Sequence, residues 1–233
     1  MPFAAIERPS LGLSLLQAVL RQAGMASSCV YANLAFAEHV SLGRYRLIDA
    51  TPPEELVGEW IFAEAAFGAD TPHDPAWFEH LSLDITQYIP VTRKRVMAEI
   101  TELRAIATAF VDTLADLVVK ATPRVVGCTS VFQQHCASLA LLRRVRERAP
   151  HIVTILGGAN CDGDMGPATH RAFPWVDFVV SGEADELAPP LFSALLEHGR
   201  NLPAAALPDG VYGPAHREHP PTTARRATVW NMG

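Results

Sequence analysis

A regular alternation of short apolar segments with helical patterns in residues 124–198 constrains the fold of this chain more than any other feature. Strands are predicted at residues 124–129, 152–156 and 177–180, and helices at residues 134–149 and 186–198. Short strands that are apolar throughout and separated by helices are typical of a parallel sheet with both faces covered. The sequence therefore predicts an α/β fold with a doubly wound parallel sheet.

The N-terminal residues carry a second signal of the same kind. Ser10 follows Pro9 as a capping residue, apolar side chains then recur at helical spacing, and Gly24 suits the C-terminal end of a helix. Residues 2–6 and 28–31 have the composition of short strands. We expect a strand, a helix and a second strand in residues 2–31.

Two segments depart from this alternation. Residues 36–120 show helical patterns over residues 54–67 and 96–117 without a clear strand, which predicts a mostly helical insertion. Residues 199–233 are rich in proline and predict a linker or a docking arm. We expect one domain over residues 1–198, with the insertion inside it, followed by this arm.

The charge of the chain argues against two classes of partner. It has 25 acidic and 19 basic side chains, with a formal net charge of −6 at pH 7. Nucleic acids and anionic membranes attract clustered positive charge, so we expect neither as a partner. The arginine-rich run at residues 143–148 is expected to be a solvated helix face. No N-terminal signal peptide and no apolar run of roughly 20 residues is present, which predicts a cytoplasmic protein without a membrane span.

The four cysteines, Cys29, Cys128, Cys136 and Cys161, are too widely scattered for a zinc ribbon or an iron–sulfur cluster. Cys128 falls in a predicted core strand, where a free cysteine behaves as a small hydrophobic residue. Cys161 follows a strand, where it is either a cofactor contact or thiol, or structural filler. The sequence predicts no protein-bound metal.

The candidate binding residues follow the predicted strands, because ligands of open parallel sheets bind outside the carboxyl ends of the strands. The residues of these segments are mostly small or polar, and several are glycine, which suits a large and mostly neutral ligand. The pattern differs from a dinucleotide site, which would show GxGxxG after the first strand, and from a P-loop. The candidates are Ser10, Leu11, Gly12, Thr129, Ser130, Phe132, Gln133, Gly157, Gly158, Asn160, Cys161, Ser181, Gly182 and Glu183.

Several of these positions have a second interpretation. Gly157 and Gly158 are either a ligand cradle or an ordinary tight turn after a strand. If they form a cradle, Gly158→Leu should leave the fold largely intact and block the ligand. His135 is either an axial ligand or proton shuttle, or an exposed residue at a helix start. Three tryptophans either stack on a cofactor or pack in the core, namely Trp60, Trp77 and Trp175. Two acidic residues near a strand end, Glu183 and Asp185, either contact a ligand or stabilise the start of the next helix.

Five motifs in this order resemble the N-terminal part of cobalamin-dependent radical SAM enzymes, most closely those that mature ribosomally made peptides, often as C-methyltransferases. The resemblance runs from residue 1 to about residue 198. The motifs are PSLGLSLL at residues 9–16, YANLAF at 31–36, GEWIF with a following FG at 58–68, GGANC at 157–161 and FPWVDFVVSGE at 173–183.

The resemblance implies a Rossmann-like fold of the B12-binding type, with the corrin over the strand tips and its nucleotide tail near Gly157 and Gly158. The DxHxxG motif, whose histidine binds cobalt in other cobalamin proteins, is absent, which implies base-off cobalamin without a protein histidine on the metal. In the implied reaction, methylcobalamin methylates a substrate radical and is then remethylated by S-adenosylmethionine.

The CxxxCxxC motif of the radical SAM barrel is also absent, so this chain is not expected to run the reaction alone. S-adenosylmethionine and the [4Fe-4S] cluster are expected on a partner domain or subunit, and a precursor peptide is expected as substrate. One hypothesis is a cobalamin-binding module that serves this partner. The alternative is a non-catalytic interaction or regulatory protein that keeps the fold and docks a partner through the helical insertion or the C-terminal arm. A different enzyme that uses Cys161 lacks any supporting Cys/His or Ser/His/Asp spacing.

Overall fold

The computed structural model describes residues 1–71, 77, 81, 91–217 and 227. Before the sheet, the helices are α1 (Leu11–Gln22), α2 (Ala32–Val40), α3 (Leu42–Asp49), α4 (Val57–Phe67) and α5 (Arg93–Lys120). The sheet region then alternates as β1 (Val125–Thr129), α6 (His135–Arg148), β2 (Val153–Gly157), α7 (Met165–Ala172), β3 (Phe178–Val180), α8 (Ala188–His198) and β4 (Val211–Tyr212). None of the helices within these residues is long and apolar enough to cross a membrane.

The sheet has the order β1-β2-β3-β4 and is open. Strand β1 pairs in parallel with β2, and β2 in parallel with β3, as the sequence predicts. Strand β4 adds to β3 in the antiparallel direction. The result is a mixed α/β architecture that is consistent with a Rossmann-like fold.

Alternate strand residues face opposite sides of the sheet, as the pleat requires. Leu156 and Val179 belong to a core shared with α4, α5 and α6, whereas Ile155 and Phe178 belong to a second core closed by Leu191 and Leu195 of α8. Both faces are therefore covered, which explains why these strands are apolar throughout.

The helix boundaries follow the local signals in the sequence. Helix α1 begins after Ser10, whose hydroxyl accepts a hydrogen bond from the backbone N–H of Leu13, and Gly24 beyond its end has a φ of +78°. Helix α5 begins after Thr92, which caps the backbone N–H of Arg95. The helical patterns predicted over residues 54–67 and 96–117 are thus confirmed.

The two N-terminal strands do not form, and this prediction was wrong. The backbone of residues 1–5 bonds to side chains instead of a neighbouring strand: Tyr45 Oη accepts from the N–H of Ala4 and donates to its carbonyl, both at 2.7 Å. Asn33 Nδ2 donates to the carbonyl of Ala5, and Gln134 Nε2 to that of Met1. These side chains satisfy the backbone groups that a sheet would otherwise pair.

The first part of the segment predicted as an arm packs into the fold. Strand β4 lies in it, and Arg200 Nε donates to both carboxylate oxygens of the buried Asp177 at 2.8 Å. Arg146 pairs with the same carboxylate. Apart from Ala227, the residues after 217 lie outside the described part of the chain, and the domain boundary at residue 198 stays a prediction.

The arginine-rich run on α6 is partly solvated, as expected, and its side chains are also paired with neighbouring elements. Arg144 and Arg148 pair with Asp112 of α5 at 3.0 and 2.5 Å. Arg143 donates to the carbonyl of Ala66 at the end of α4. The run therefore joins α6 to neighbouring elements.

Candidate functional site

The loops after β1 and β2 are joined at the carboxyl edge of the sheet. Thr129 and Gly157 form the last paired position of the two strands. Just beyond it, the N–H of Ser130 donates to the carbonyl of Gly157 at 2.7 Å, and the N–H of Asn160 donates to the carbonyl of Ser130 at 3.0 Å. The structure thus brings together the candidates at residues 129–133 and 157–161.

The side chain of Asn160 reinforces this junction. Its Nδ2 donates to Ser130 Oγ at 3.0 Å and to the carbonyl of Phe132 at 2.8 Å. Ser130 is fully buried, and its Oγ lies 3.0 Å from His135 Nδ1. Ser130 Oγ therefore takes part in two hydrogen bonds at once, one accepted from Asn160 and one shared with the imidazole of His135.

His135 therefore differs from the exposed helix-start histidine that was one of its two interpretations. It does begin α6, but it is half-buried, and burial lowers its pKa while the charge of Glu59 partly offsets the effect. Its Nδ1 is committed to Ser130.

Helix α4 forms hydrogen bonds with the loop after β1 and with the start of α6. Glu59 accepts hydrogen bonds from the backbone N–H groups of His135 and Cys136 at 2.8 and 2.5 Å, and so caps α6. The N–H of Gly58 donates to Gln133 Oε1 at 2.6 Å. Neither Gly58 nor Glu59 was among the candidates, although both lie in the GEWIF motif, which was the available signal.

Gly158 meets the requirement of a tight turn. It has a φ of +101°, and a Cβ atom built there would lie 2.6 Å from the carbonyl oxygen of Ser130. The space beside it is therefore filled by the protein's own backbone. The expectation that Gly158→Leu leaves the fold largely intact was wrong, because a Cβ atom there collides with the backbone of Ser130.

Cys161 contributes to the core. Its side chain is fully buried, and burial raises the pKa of the thiol to about 12, so its thiolate fraction at neutral pH is very small. The interpretation as structural filler fits this position, and a reactive thiol does not. Cys128 is buried in β1, as expected.

The predicted residues after β3 lie against the chain's own C-terminal part. The N–H of Ser181 donates to the carbonyl of Gly210, and its carbonyl accepts from Ala227 at 2.9 Å. The N–H of Glu183 donates to the carbonyl of Ala227 at 3.2 Å, and Gly182 forms a bridge with the same residue. Among the described residues, the buried Ser181 Oγ has no hydrogen-bond partner.

Ser10, Leu11 and Gly12 lie apart from the other candidates. The strand that would have placed them at the carboxyl edge does not form, and α1 packs beside α8. Leu11 is 81% exposed. Within the described residues, no hydrogen bond links these three to the loops after β1 and β2.

The three tryptophans in the described part of the chain pack against other side chains or the backbone. Trp60 and Trp77 stack with ring centroids 5.6 Å apart, and the guanidinium of Arg104 lies 4.2 Å from the Trp60 ring. Trp175 donates its indole N–H to the carbonyl of Leu139 at 3.1 Å. In the described ranges, no three His, Cys, Asp or Glu side chains are grouped so that they could hold a metal ion.

The comparisons with known proteins give one partial similarity. No family model matches the chain, and no solved structure matches it. The chain is similar to the anaerobic magnesium-protoporphyrin IX monomethyl ester cyclase of Rubrivivax gelatinosus, with 31% identity over 107 residues, which cover 42% of this chain and 19% of the cyclase. The similarity is consistent with a radical SAM-related domain and carries no signal specific to peptide maturation.

Proposed function

We propose that this chain is the cobalamin-binding module of a radical SAM peptide-maturation system, and that it holds methylcobalamin for a partner radical SAM domain during C-methylation. The observation that carries the proposal is the joined edge of β1 and β2. Neutral polar groups there are fixed by hydrogen bonds, while large apolar side chains stay exposed, namely Phe132 at 70% and Met165 at 52%.

The residues present fit such a cofactor at this part of the edge. A corrin is a broad ring with a largely apolar face and polar amide side chains, so it requires apolar contact together with neutral donors and acceptors. Phe132 offers the first, and the half-buried polar side chains of Thr129 and Asn160 lie beside it for the second. When bound, cobalamin would supply the transferable methyl group.

The comparison supports the same class of ligand. The cyclase is named for its action on a magnesium porphyrin, which, like a corrin, is a macrocycle built from four pyrrole-derived rings. The assignment to peptide maturation rests on the sequence motifs, above all GGANC and FPWVDFVVSGE. The two parts of the proposal are therefore tested separately.

Reconstitution tests the cofactor. Purified protein is incubated in parallel with hydroxocobalamin, magnesium-protoporphyrin IX monomethyl ester and ATP, desalted, and examined by absorption spectroscopy. We expect retention of cobalamin with a base-off spectrum. Retention of the porphyrin alone, or a colourless protein in every arm, contradicts the proposal. Methylation of a precursor peptide in the presence of a radical SAM partner then tests the second part.

A groove beside the helical segment favours the second candidate, a non-catalytic docking protein. It has a volume of about 440 Å³ and lies between the N-terminal residues, α2 and α3. Leu34 and Leu42 line it and are each 47% exposed. Under this alternative, a co-purifying partner would be insensitive to cobalamin and would be lost in Leu34→Ser, but retained in the matched variant Leu117→Ser on α5.

A further inference from the structure

Phe132 combines two unfavourable features at the carboxyl edge of the sheet. Its side chain is 70% exposed, and its backbone has a φ of +48°, in the left-handed region that non-glycine residues seldom adopt. An aromatic side chain in water gains none of the free energy of burial. A residue selected only for folding would be glycine or a small polar residue here.

The surrounding structure fixes Phe132 in place. Asn160 Nδ2 donates to its carbonyl at 2.8 Å. On either side, the N–H of Val131 donates to Gln134 Oε1 at 3.2 Å, and Gln133 Oε1 accepts from Gly58. Contacts from α4, the β2 loop and the start of α6 thus fix the backbone that carries the exposed ring.

Other parts of the same edge are in contact with the protein's own chain. Ser130 fills the space beside Gly158, and Ala227 lies against Ser181 and Gly182. Exposed apolar surface remains on the loop after β1 and at the start of α7, where Phe132 and Met165 lie. Contact with a broad apolar ring is therefore concentrated at Phe132.

We infer that Phe132 is the platform on which the flat face of the bound macrocycle packs, and that Asn160 is the residue that positions it. This inference rests on the proposed function and deepens it by naming the main apolar contact. An aromatic ring on a fixed backbone gives such a ligand a large contact area, and only two side-chain torsions have to be ordered on binding.

Phe132→Gly separates binding from folding. Glycine adopts this φ without strain, so the melting temperature should stay equal to that of the wild type or rise. The Kd for hydroxocobalamin should increase about tenfold or more, because the apolar contact is lost.

Two control variants accompany this test. Phe132→Trp keeps an aromatic ring, so its Kd for hydroxocobalamin should be close to that of the wild type. The matched control for binding is Leu117→Ala, at an exposed leucine of α5, because glycine inside a helix would lower stability through its backbone entropy.

Visible circular dichroism supplies a second measurement, since the spectrum of a corrin changes from that of the free cofactor when the ring is fixed against a protein surface. We expect a smaller signal per bound cobalamin in Phe132→Gly and in Asn160→Ala. If Phe132→Gly keeps the wild-type Kd and signal, the inference is wrong while the cofactor assignment stands. If the wild type retains no cobalamin, the proposed function is wrong and the inference falls with it.

Discussion

Glu59 caps the helix that begins at His135, although the two residues lie in different helices. Its carboxylate accepts the backbone N–H of His135 at 2.8 Å and, through the other oxygen, that of Cys136. Two of the four N–H groups left unpaired at a helix start are thereby satisfied from outside the helix. The position of α4 against α6 is therefore set by hydrogen bonds as well as by apolar packing.

Glu59→Gln tests the strength of this cap. The amide keeps one acceptor and removes the negative charge, so we expect the free energy of unfolding to fall by about 1–2 kcal/mol. Chemical denaturation measures the change. As a control, Glu54→Gln, at an exposed residue before α4, should change the free energy of unfolding by less than about 0.5 kcal/mol. Equal effects of the two substitutions would show that the cap contributes little to stability.

Gly158→Ala tests the turn after β2. The new Cβ atom would meet the carbonyl oxygen of Ser130 at 2.6 Å, in a backbone conformation that disfavours any side chain. We expect a loss of at least about 2 kcal/mol in the free energy of unfolding. Gly12→Ala is the control, because no heavy atom lies within 4 Å of its Cβ position in α1. That variant should be neutral or more stable by up to about 1 kcal/mol.

Asp177→Asn tests the charge cluster that the buried Asp177 forms with Arg146 and Arg200. The carboxylate of Asp177 is 3% exposed and pairs with Arg146 and Arg200, so its removal leaves two guanidinium groups without their counter-charge. A loss of about 3–5 kcal/mol is expected. Asp116→Asn breaks an ion pair whose carboxylate is 73% exposed, and should cost no more than about 1 kcal/mol. Similar losses in both variants would contradict this account.

The buried His170 predicts a pH dependence of stability. Burial, and to a lesser extent the charge of Arg217, lowers its pKa from 6.5 to about 4. Between these values the unfolded chain binds a proton that the folded protein does not. The free energy of unfolding should therefore fall as the pH drops from 6.5 towards 4, by about 3 kcal/mol in total from this residue.

Denaturation of the wild type and of His170→Gln between pH 7 and pH 4.5 measures this contribution. The variant should show a shallower dependence, although not a flat one, since burial also lowers the pKa of His135 and His216. The variant His151→Gln, at an exposed position, should follow the wild type. An unchanged slope in His170→Gln would contradict the assignment.

The alternation over residues 124–198 was predictable because each of its strands and helices is encoded locally. Residues 2–6 show the limit of that reasoning. Their composition suits a strand, but a strand requires a partner, and here Tyr45 and Asn33 take the backbone hydrogen bonds instead. Whether residues 2–6 form a strand depends on residues about 30 to 40 positions away. The local sequence pattern therefore does not predict the conformation of this segment.

The site was predictable to the same degree. Residues that follow adjacent parallel strands had to lie together, and Ser130, Asn160 and Gly158 do. The contacts of Glu59 and Ala227 were not predictable, because each comes from an element distant in sequence. Phe132 was a candidate by position, whereas its left-handed backbone became visible only in three dimensions.

The cap on α6 has a consequence for ligand selection. In many α/β proteins the positive end of the helix after the first core strand is where a phosphate binds. Here the carboxylate of Glu59 already occupies the N–H groups of His135 and Cys136. A nucleotide phosphate brought to this helix would meet a fixed negative charge in the place of an anion site. The start of this helix is thereby closed to the phosphate that it binds in many proteins of the same architecture.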